Sequence, residues 1–117
     1  MPTINSIRFQ KIDKYSAIFI CNEKSESDAY NKLKKYYTQL HEQYPDKFLP
    51  IFHSDTHKYS TIRFKLTDVF NKLHSNDVVS LNFKIKRSAS TKKTIYCQLT
   101  DLNVISQATL DDELDLD

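Results

Sequence analysis

The chain has 117 residues, of which 39% are hydrophobic and 12% aromatic, a composition that favours one folded domain with a single core. The net charge of +2 is unevenly distributed, because five of the fifteen acidic residues lie in positions 111–117 and the remaining body carries ten acidic against seventeen basic residues. Glycine is absent, which excludes the phosphate loops of P-loop and dinucleotide-binding proteins. Left-handed backbone positions must therefore use other residues, for which Asn22, Asp46 and Asn76 are the candidates.

The first part of the chain predicts a β-hairpin. Alternating apolar residues indicate a strand over 3–12, and a nearly continuous apolar run indicates a second, central strand over 15–22. Asp13 and Lys14 form a two-residue turn between these strands, so we expect the strands to pair.

A long helix is predicted next. Ser25 and Asp28 have the spacing of a helix N-cap, and Pro45 ends the helix near residue 44. One side of this helix carries an apolar stripe with spacings of three and four residues, which indicates that it packs against the core. The stripe consists of Tyr30, Leu33, Tyr37, Leu40 and Tyr44.

The middle of the chain predicts a short edge segment, a strand and a short helix. The apolar segment 48–52 contains Pro50, which is typical of an edge strand or a loop. A third strand is expected over 59–66, where apolar side chains alternate with polar and basic ones. A short helix over 68–74 is expected to bury Val69, Phe70 and Leu73.

The clearest pattern is a hairpin over 77–105, with two alternating strands joined by a polar, basic loop at 87–93. From Thr100 the alternation shifts by one residue, which predicts a β-bulge. We expect the folded domain to cover 1–106 and the acidic tail, 107–117, to be disordered.

The predicted order of elements is β-β-α-β-α-β-β. Without the long helix, this is the layout of an OB-fold, a five-stranded Greek-key barrel with a helix between its third and fourth strands. We therefore expect a mainly β protein with helices and an OB-fold-like barrel. An open α+β sheet is the alternative, because small barrels usually turn their corners with glycine.

The reactive residue types do not form a recognisable catalytic motif. Cys21 and Cys97 lie in predicted strands and are interpreted as buried free thiols. His53, Asp55 and His57 alternate as H-x-D-x-H, which matches no zinc signature, and we interpret them as surface-loop residues. There is also no nucleophile elbow and no pairing of acids on a strand face. We therefore expect neither enzyme activity nor a metal or other cofactor.

The sequence contains no signal-peptide pattern and no apolar run near the ~20 residues that span a bilayer. We therefore expect an intracellular, cytoplasmic protein (in the host cytoplasm if it is viral) with no membrane partner.

Positive charge is concentrated between residues 58 and 93, where nine basic residues face two acidic ones. Several of these cations fall on the outward side of predicted strands, together with a tyrosine and a glutamine. A positive, aromatic and hydrogen-bonding sheet surface suits a nucleic-acid strand. The expected nucleic-acid-binding residues are Arg8, Arg63, Lys65, Lys84, Lys86, Arg87, Lys92, Lys93, Tyr96 and Gln98.

The tail alternates acids with leucines, which is typical of a short peptide that docks a partner. It could equally compete with phosphates for the basic face. The residues assigned to this role are Asp111, Asp112, Glu113, Leu114, Asp115, Leu116 and Asp117.

A basic OB-like body, the hairpin FKIKRSASTKKTIYCQL and the acidic C-terminal tip together resemble the small single-stranded DNA-binding proteins of bacteriophages. The resemblance implies binding of single-stranded DNA without sequence specificity during replication, recombination or repair, by a homo-oligomer whose tail meets replication or recombination proteins. The implied DNA contacts are Tyr96, Lys84, Lys86, Arg63 and Lys65. The alternative is a protein-interaction module or small viral inhibitor that binds an acidic protein.

Overall fold

The computed structural model describes residues 2–87 and 94–106. Within these ranges, six strands form one antiparallel sheet, accompanied by one long helix and one short 3-10 helix. In chain order the elements are β1 (Thr3–Ile12), β2 (Ser16–Asn22), α1 (Ser27–Gln43), β3 (Ile51–Ser54), β4 (Tyr59–Lys65), a 3-10 helix (Asp68–Lys72), β5 (Val78–Arg87) and β6 (Ile95–Ser106).

The strand order across the sheet is β3-β4-β2-β1-β5-β6, so β3 and β6 are its edges. The sheet is open, because no ladder of hydrogen bonds joins its two ends, although Cα atoms of β4 and β6 approach within 8 Å. A mainly β fold is thus confirmed, and the open sheet agrees with the architecture expected as the alternative. The strands number six rather than five because residues 51–54 pair with β4.

The register of the C-terminal hairpin contains the predicted bulge. Asn82 pairs with Asp101 and the next residue, Phe83, pairs with Leu99, so Thr100 is the extra residue of the bulge. This extra residue lets the strand keep its apolar side chains on the core face on both sides of the slip. The prediction of a bulge at this position is confirmed.

The core lies between α1, the 3-10 helix and the inner face of the curved sheet. Phe19 of β2 stands at its centre, with its ring in edge-on contact with Phe9 at 5.4 Å, Phe64 at 5.7 Å and Phe70 at 5.9 Å between centroids. Burial of such a side chain contributes roughly 1.5–3 kcal/mol. The 3-10 helix buries Phe70 completely but leaves Val69 47% exposed. A short helix at this place is confirmed, but it ends at Lys72 rather than at residue 74, and the predicted burial of Val69 was wrong.

The start of α1 differs from the prediction. Its N-cap residue is Glu26, and no side chain caps the helix through a hydrogen bond, so the assignment of Ser25 was wrong. Glu26 Oε1 instead accepts a hydrogen bond from the Asn22 N–H at 3.0 Å. Three members of the apolar stripe, Tyr30, Leu33 and Leu40, are buried as expected. Within the described ranges, no helix combines the length and apolar character needed to cross a bilayer.

Two non-glycine residues in the described part of the chain have positive φ. Asn76, at 75°, was predicted, whereas Asn22 and Asp46 do not adopt this conformation. The second position is Lys58, at 59°, in the turn between β3 and β4. Its backbone N–H donates to the Ser54 carbonyl at 3.0 Å, so a closed turn imposes the left-handed geometry on a residue that does not favour it.

Candidate nucleic-acid interface

The outer face of the β5–β6 hairpin carries two lysines beside an aromatic ring and an amide. Lys84 is the cross-strand partner of Gln98, and Lys86 is the partner of Tyr96. Directly paired residues of an antiparallel ladder project to the same side, so these four side chains form one surface. Both lysines are exposed, and Tyr96 is 39% exposed.

Strand β4 adds two cations to this surface. Arg63 and Lys65 alternate with the buried Phe64 and therefore face outward. Together with Tyr96 they line a shallow hollow of about 210 Å³. Lys65 and Tyr96 also line a larger hollow, of about 680 Å³, that runs along β6 past Gln98. We call the six residues the basic track: Arg63, Lys65, Lys84, Lys86, Tyr96 and Gln98.

Core packing holds the two halves of the basic track together. The ring of Phe64 in β4 meets the ring of Phe83 in β5 edge-on, with 5.7 Å between centroids. Phe64 lies between Arg63 and Lys65 in β4, and Phe83 is followed by Lys84 in β5. The two strands that carry the four cations of the track are thus in contact through the core.

The cations of the basic track differ in whether they form an ion pair. Arg63 Nη1 lies 3.4 Å from Asp13 Oδ2, and both side chains are solvent-exposed. The pKa of Asp13 is lowered, first by a hydrogen bond from the Lys14 backbone N–H and then by the Arg63 guanidinium. Exposed ion pairs of this kind are weak, so a phosphate can displace the carboxylate. The lysines of the track make no salt bridge with any residue in 2–87 or 94–106.

Other residues predicted to bind nucleic acid do not belong to the track. Arg8 Nε lies 2.7 Å from Glu26 Oε2, so its charge ties β1 to the start of α1. Arg87 is exposed, but its cross-strand partner is the buried Ile95, which places it on the opposite face from Lys86. The remaining predicted residues lie outside the described parts of the chain: Lys92, Lys93 and the tail residues Asp111, Asp112, Glu113, Leu114, Asp115, Leu116 and Asp117.

Two aromatic residues that the sequence analysis did not single out border the track. Tyr15 is 72% exposed and Phe48 is 82% exposed, and both line the hollow that contains Arg63 and Lys65. Each follows a lysine in a predicted turn or loop. A large aromatic side chain directly after a turn or loop is not bound to face the core, and this was the signal that could have identified both residues.

The H-x-D-x-H segment is a hydrogen-bonded cluster at the sheet edge. His53 Nδ1 lies 2.9 Å from Ser60 Oγ, and His53 Nε2 lies 2.9 Å from Asp55 Oδ1. The side chain of His53 is only 5% exposed, so its interpretation as a surface-loop residue was wrong. Ser60 is completely buried, which prevents its hydroxyl from meeting a substrate. No group of three potential metal ligands occurs within 2–87 and 94–106.

Both cysteines are buried and free, which confirms their interpretation from the sequence. Burial raises the pKa of the Cys21 thiol to about 12, with a smaller contribution from Glu26, and burial alone raises that of Cys97 to about 12. At neutral pH both residues are therefore thiols rather than nucleophilic thiolates.

Comparison of the chain with protein-family models, with curated proteins and with solved structures finds no match. The chemistry of the surface is therefore the guide to function. Its main feature is the basic track, which combines four cations with an exposed aromatic ring.

Proposed function

We propose that this protein binds single-stranded DNA without sequence specificity, in replication, recombination or repair of a phage or its host. The observation that carries the proposal is the placement of Tyr96 between lysines of two strands, Lys65 on one side and Lys86 on the other. This arrangement joins phosphate-binding charge to a surface on which a base can stack.

The physical chemistry of the track favours a single strand over a duplex. Lysine and arginine neutralise phosphates and release condensed counterions, whichever sequence is bound. Stacking of a base on an aromatic side chain contributes about 1–3 kcal/mol and needs an accessible base face. In a duplex the base faces are already occupied by neighbouring base pairs, so Tyr96 adds affinity for unpaired nucleotides only.

We further propose that the fold is a variant of the OB-fold. If the edge strand β3 is set aside, the order β4-β2-β1-β5-β6 and the approach of β4 to β6 support a partly open five-stranded barrel. Strand β3 and helix α1 are then insertions between the second and third barrel strands. The oligonucleotide-binding face of OB-folds includes the third barrel strand, which corresponds here to β4 with Arg63 and Lys65.

The tail and the oligomeric state belong to the same proposal. We expect the acidic residues 111–117 to dock replication or recombination proteins, or to compete with DNA for the basic track. We also expect a homo-oligomer, which is supported by the exposure of Val104 and Ile105 at the end of edge strand β6. Light scattering on the purified chain measures its mass directly.

The test is a fluorescence anisotropy titration of labelled oligo-dT and of a duplex of equal length, at low and at moderate salt. We expect tighter binding of the single strand and a loss of affinity as salt rises. A protein lacking residues 111–117 should bind oligo-dT more tightly at low salt if the tail competes with DNA. Equal affinity of the two forms would leave partner docking as the tail's role, and absence of oligo-dT binding at low salt would refute the proposal.

One observation favours a second candidate, the binding of an acidic protein. The Asp13 carboxylate already lies against Arg63, so the track accommodates a protein carboxylate as well as a phosphate. In that case the protein is an interaction module or a small viral inhibitor. Weak, salt-sensitive binding of oligo-dT and duplex alike, with retention of an acidic protein, would favour this candidate over the first.

A further inference from the structure

A second hollow lies on the outer face of the sheet beside the basic track. It has a volume of about 580 Å³, and its apolar floor includes Ile18 and Ile20 of β2. The segment 45–50, which connects α1 to β3, forms one wall. The Arg63 backbone N–H donates to the Pro50 carbonyl at 2.9 Å and holds this segment against β4.

The walls of this hollow are aromatic and partly open to solvent. Phe52 is 46% exposed, and its ring lies 6.0 Å from Tyr59 and 6.1 Å from Tyr37 between centroids. Phe48 stands at one end and is 82% exposed. We call this site the aromatic hollow and define it by Phe48, Phe52, Tyr59 and Ile20.

The rim of the aromatic hollow is positive and polar. Three basic residues line it, Lys11, Lys47 and Arg63, together with the hydrogen-bonding side chains of Gln10 and Thr61. Its charge is therefore complementary to phosphate, whereas its floor and walls suit a flat apolar group. An apolar peptide would match the walls but not the cations.

The aromatic hollow is continuous with the basic track. Phe48, Pro50 and Arg63 line both this hollow and the smaller hollow that contains Lys65 and Tyr96. A chain molecule that crosses the track can thus pass Phe48 and enter the aromatic hollow.

We propose that the aromatic hollow receives unpaired nucleobases of the same strand that crosses the basic track, with the bases against Phe52 and Tyr59 and the phosphates toward Lys11 and Arg63. This inference rests on the proposed function and adds a second subsite to it. This subsite adds to the selectivity for single strands that Tyr96 provides, because bases within a duplex cannot enter a walled hollow. The inserted segment between α1 and β3 is then a part of the binding site.

Photocrosslinking tests the proposal. An oligo-dT with one 5-iododeoxyuridine, placed at successive positions, is irradiated with the full-length protein, and the crosslinked peptides are identified by mass spectrometry. We expect some positions to crosslink to Phe52 or Tyr59, which line only the aromatic hollow, and others to Tyr96. Crosslinks to Tyr96 alone would overturn the second subsite and leave the proposed function standing, whereas no crosslink at either site would count against both.

Substitutions give an independent measurement. Phe48→Ala removes an 82% exposed side chain and should leave the unfolding midpoint unchanged. The double variant Phe48→Ala/Phe52→Ala should weaken oligo-dT binding roughly tenfold and reduce the preference for single strand over duplex. The matched control is Ile12→Ala, an exposed apolar residue that lines none of the three hollows, which should leave oligo-dT binding unchanged. Unchanged binding by both phenylalanine variants would show that the hollow takes a different ligand.

Discussion

The number of phosphates that the basic track neutralises can be measured from the salt dependence of DNA binding. Lys84 and Lys86 are exposed, lie on one face and make no salt bridge with a described residue, so each can neutralise one phosphate. For single strands each neutralised phosphate contributes about 0.7 to the slope of log K against log salt. Replacement of both lysines by alanine should therefore reduce the magnitude of the slope by about 1.4.

A second double variant distinguishes phosphate contacts made by the basic track from attraction of DNA by the protein's net charge. Lys24 and Lys35 are also exposed but line none of the three hollows, so Lys24→Ala/Lys35→Ala removes the same charge elsewhere. The assay is anisotropy of labelled oligo-dT at several salt concentrations, with chemical unfolding as the check on folding. The control should keep the wild-type slope. Equal slopes for the two double variants would refute a localised track and leave only attraction by net charge.

Three further predictions concern single groups. Tyr96→Ala should weaken oligo-dT binding by about 1–3 kcal/mol, roughly 5- to 150-fold, and barely affect duplex binding; an equal loss for both would exclude stacking. Asp13→Asn should strengthen oligo-dT binding at low salt, because Arg63 loses its carboxylate partner, and a weaker complex would show that the ion pair positions Arg63. Cys21 and Cys97, with pKa values near 12, should react with a thiol reagent at pH 8 only after unfolding, and rapid labelling of the native protein would contradict their burial.

Much of the sheet could be predicted from the sequence, because strand periodicity and turns are local features. The first strand was predicted over 3–12, and the structure has β1 at Thr3–Ile12. The bulge at Thr100 followed from a slip in alternation, since a one-residue shift would otherwise turn apolar side chains toward water. The shared face of Lys84 and Lys86 followed from the same period of two.

Contacts between distant parts of the chain could not be predicted from the sequence in the same way. Arg8 alternates with apolar residues along its strand, as the cations of the track do, but it forms an ion pair with Glu26 at the start of α1. The sequence had predicted the N-cap of this helix one residue earlier. The pairing of residues 51–54 with β4 depends on where the preceding segment lies, and Pro50 had suggested a loop. In each case a non-local partner overrides the local pattern.

The sequence by itself determined which side chains point outward along each strand and how much positive charge the middle of the chain carries, because alternation and composition need no partner. Only the tertiary structure decided that β4 approaches β6, so that Arg63 and Lys65 stand beside Tyr96, and that Tyr15 and Phe48 border the same surface. β4 and β6 approach each other because the sheet is curved. Phe64 of β4 and Phe83 of β5 meet in one core, a contact between distant parts of the chain that no local pattern contains.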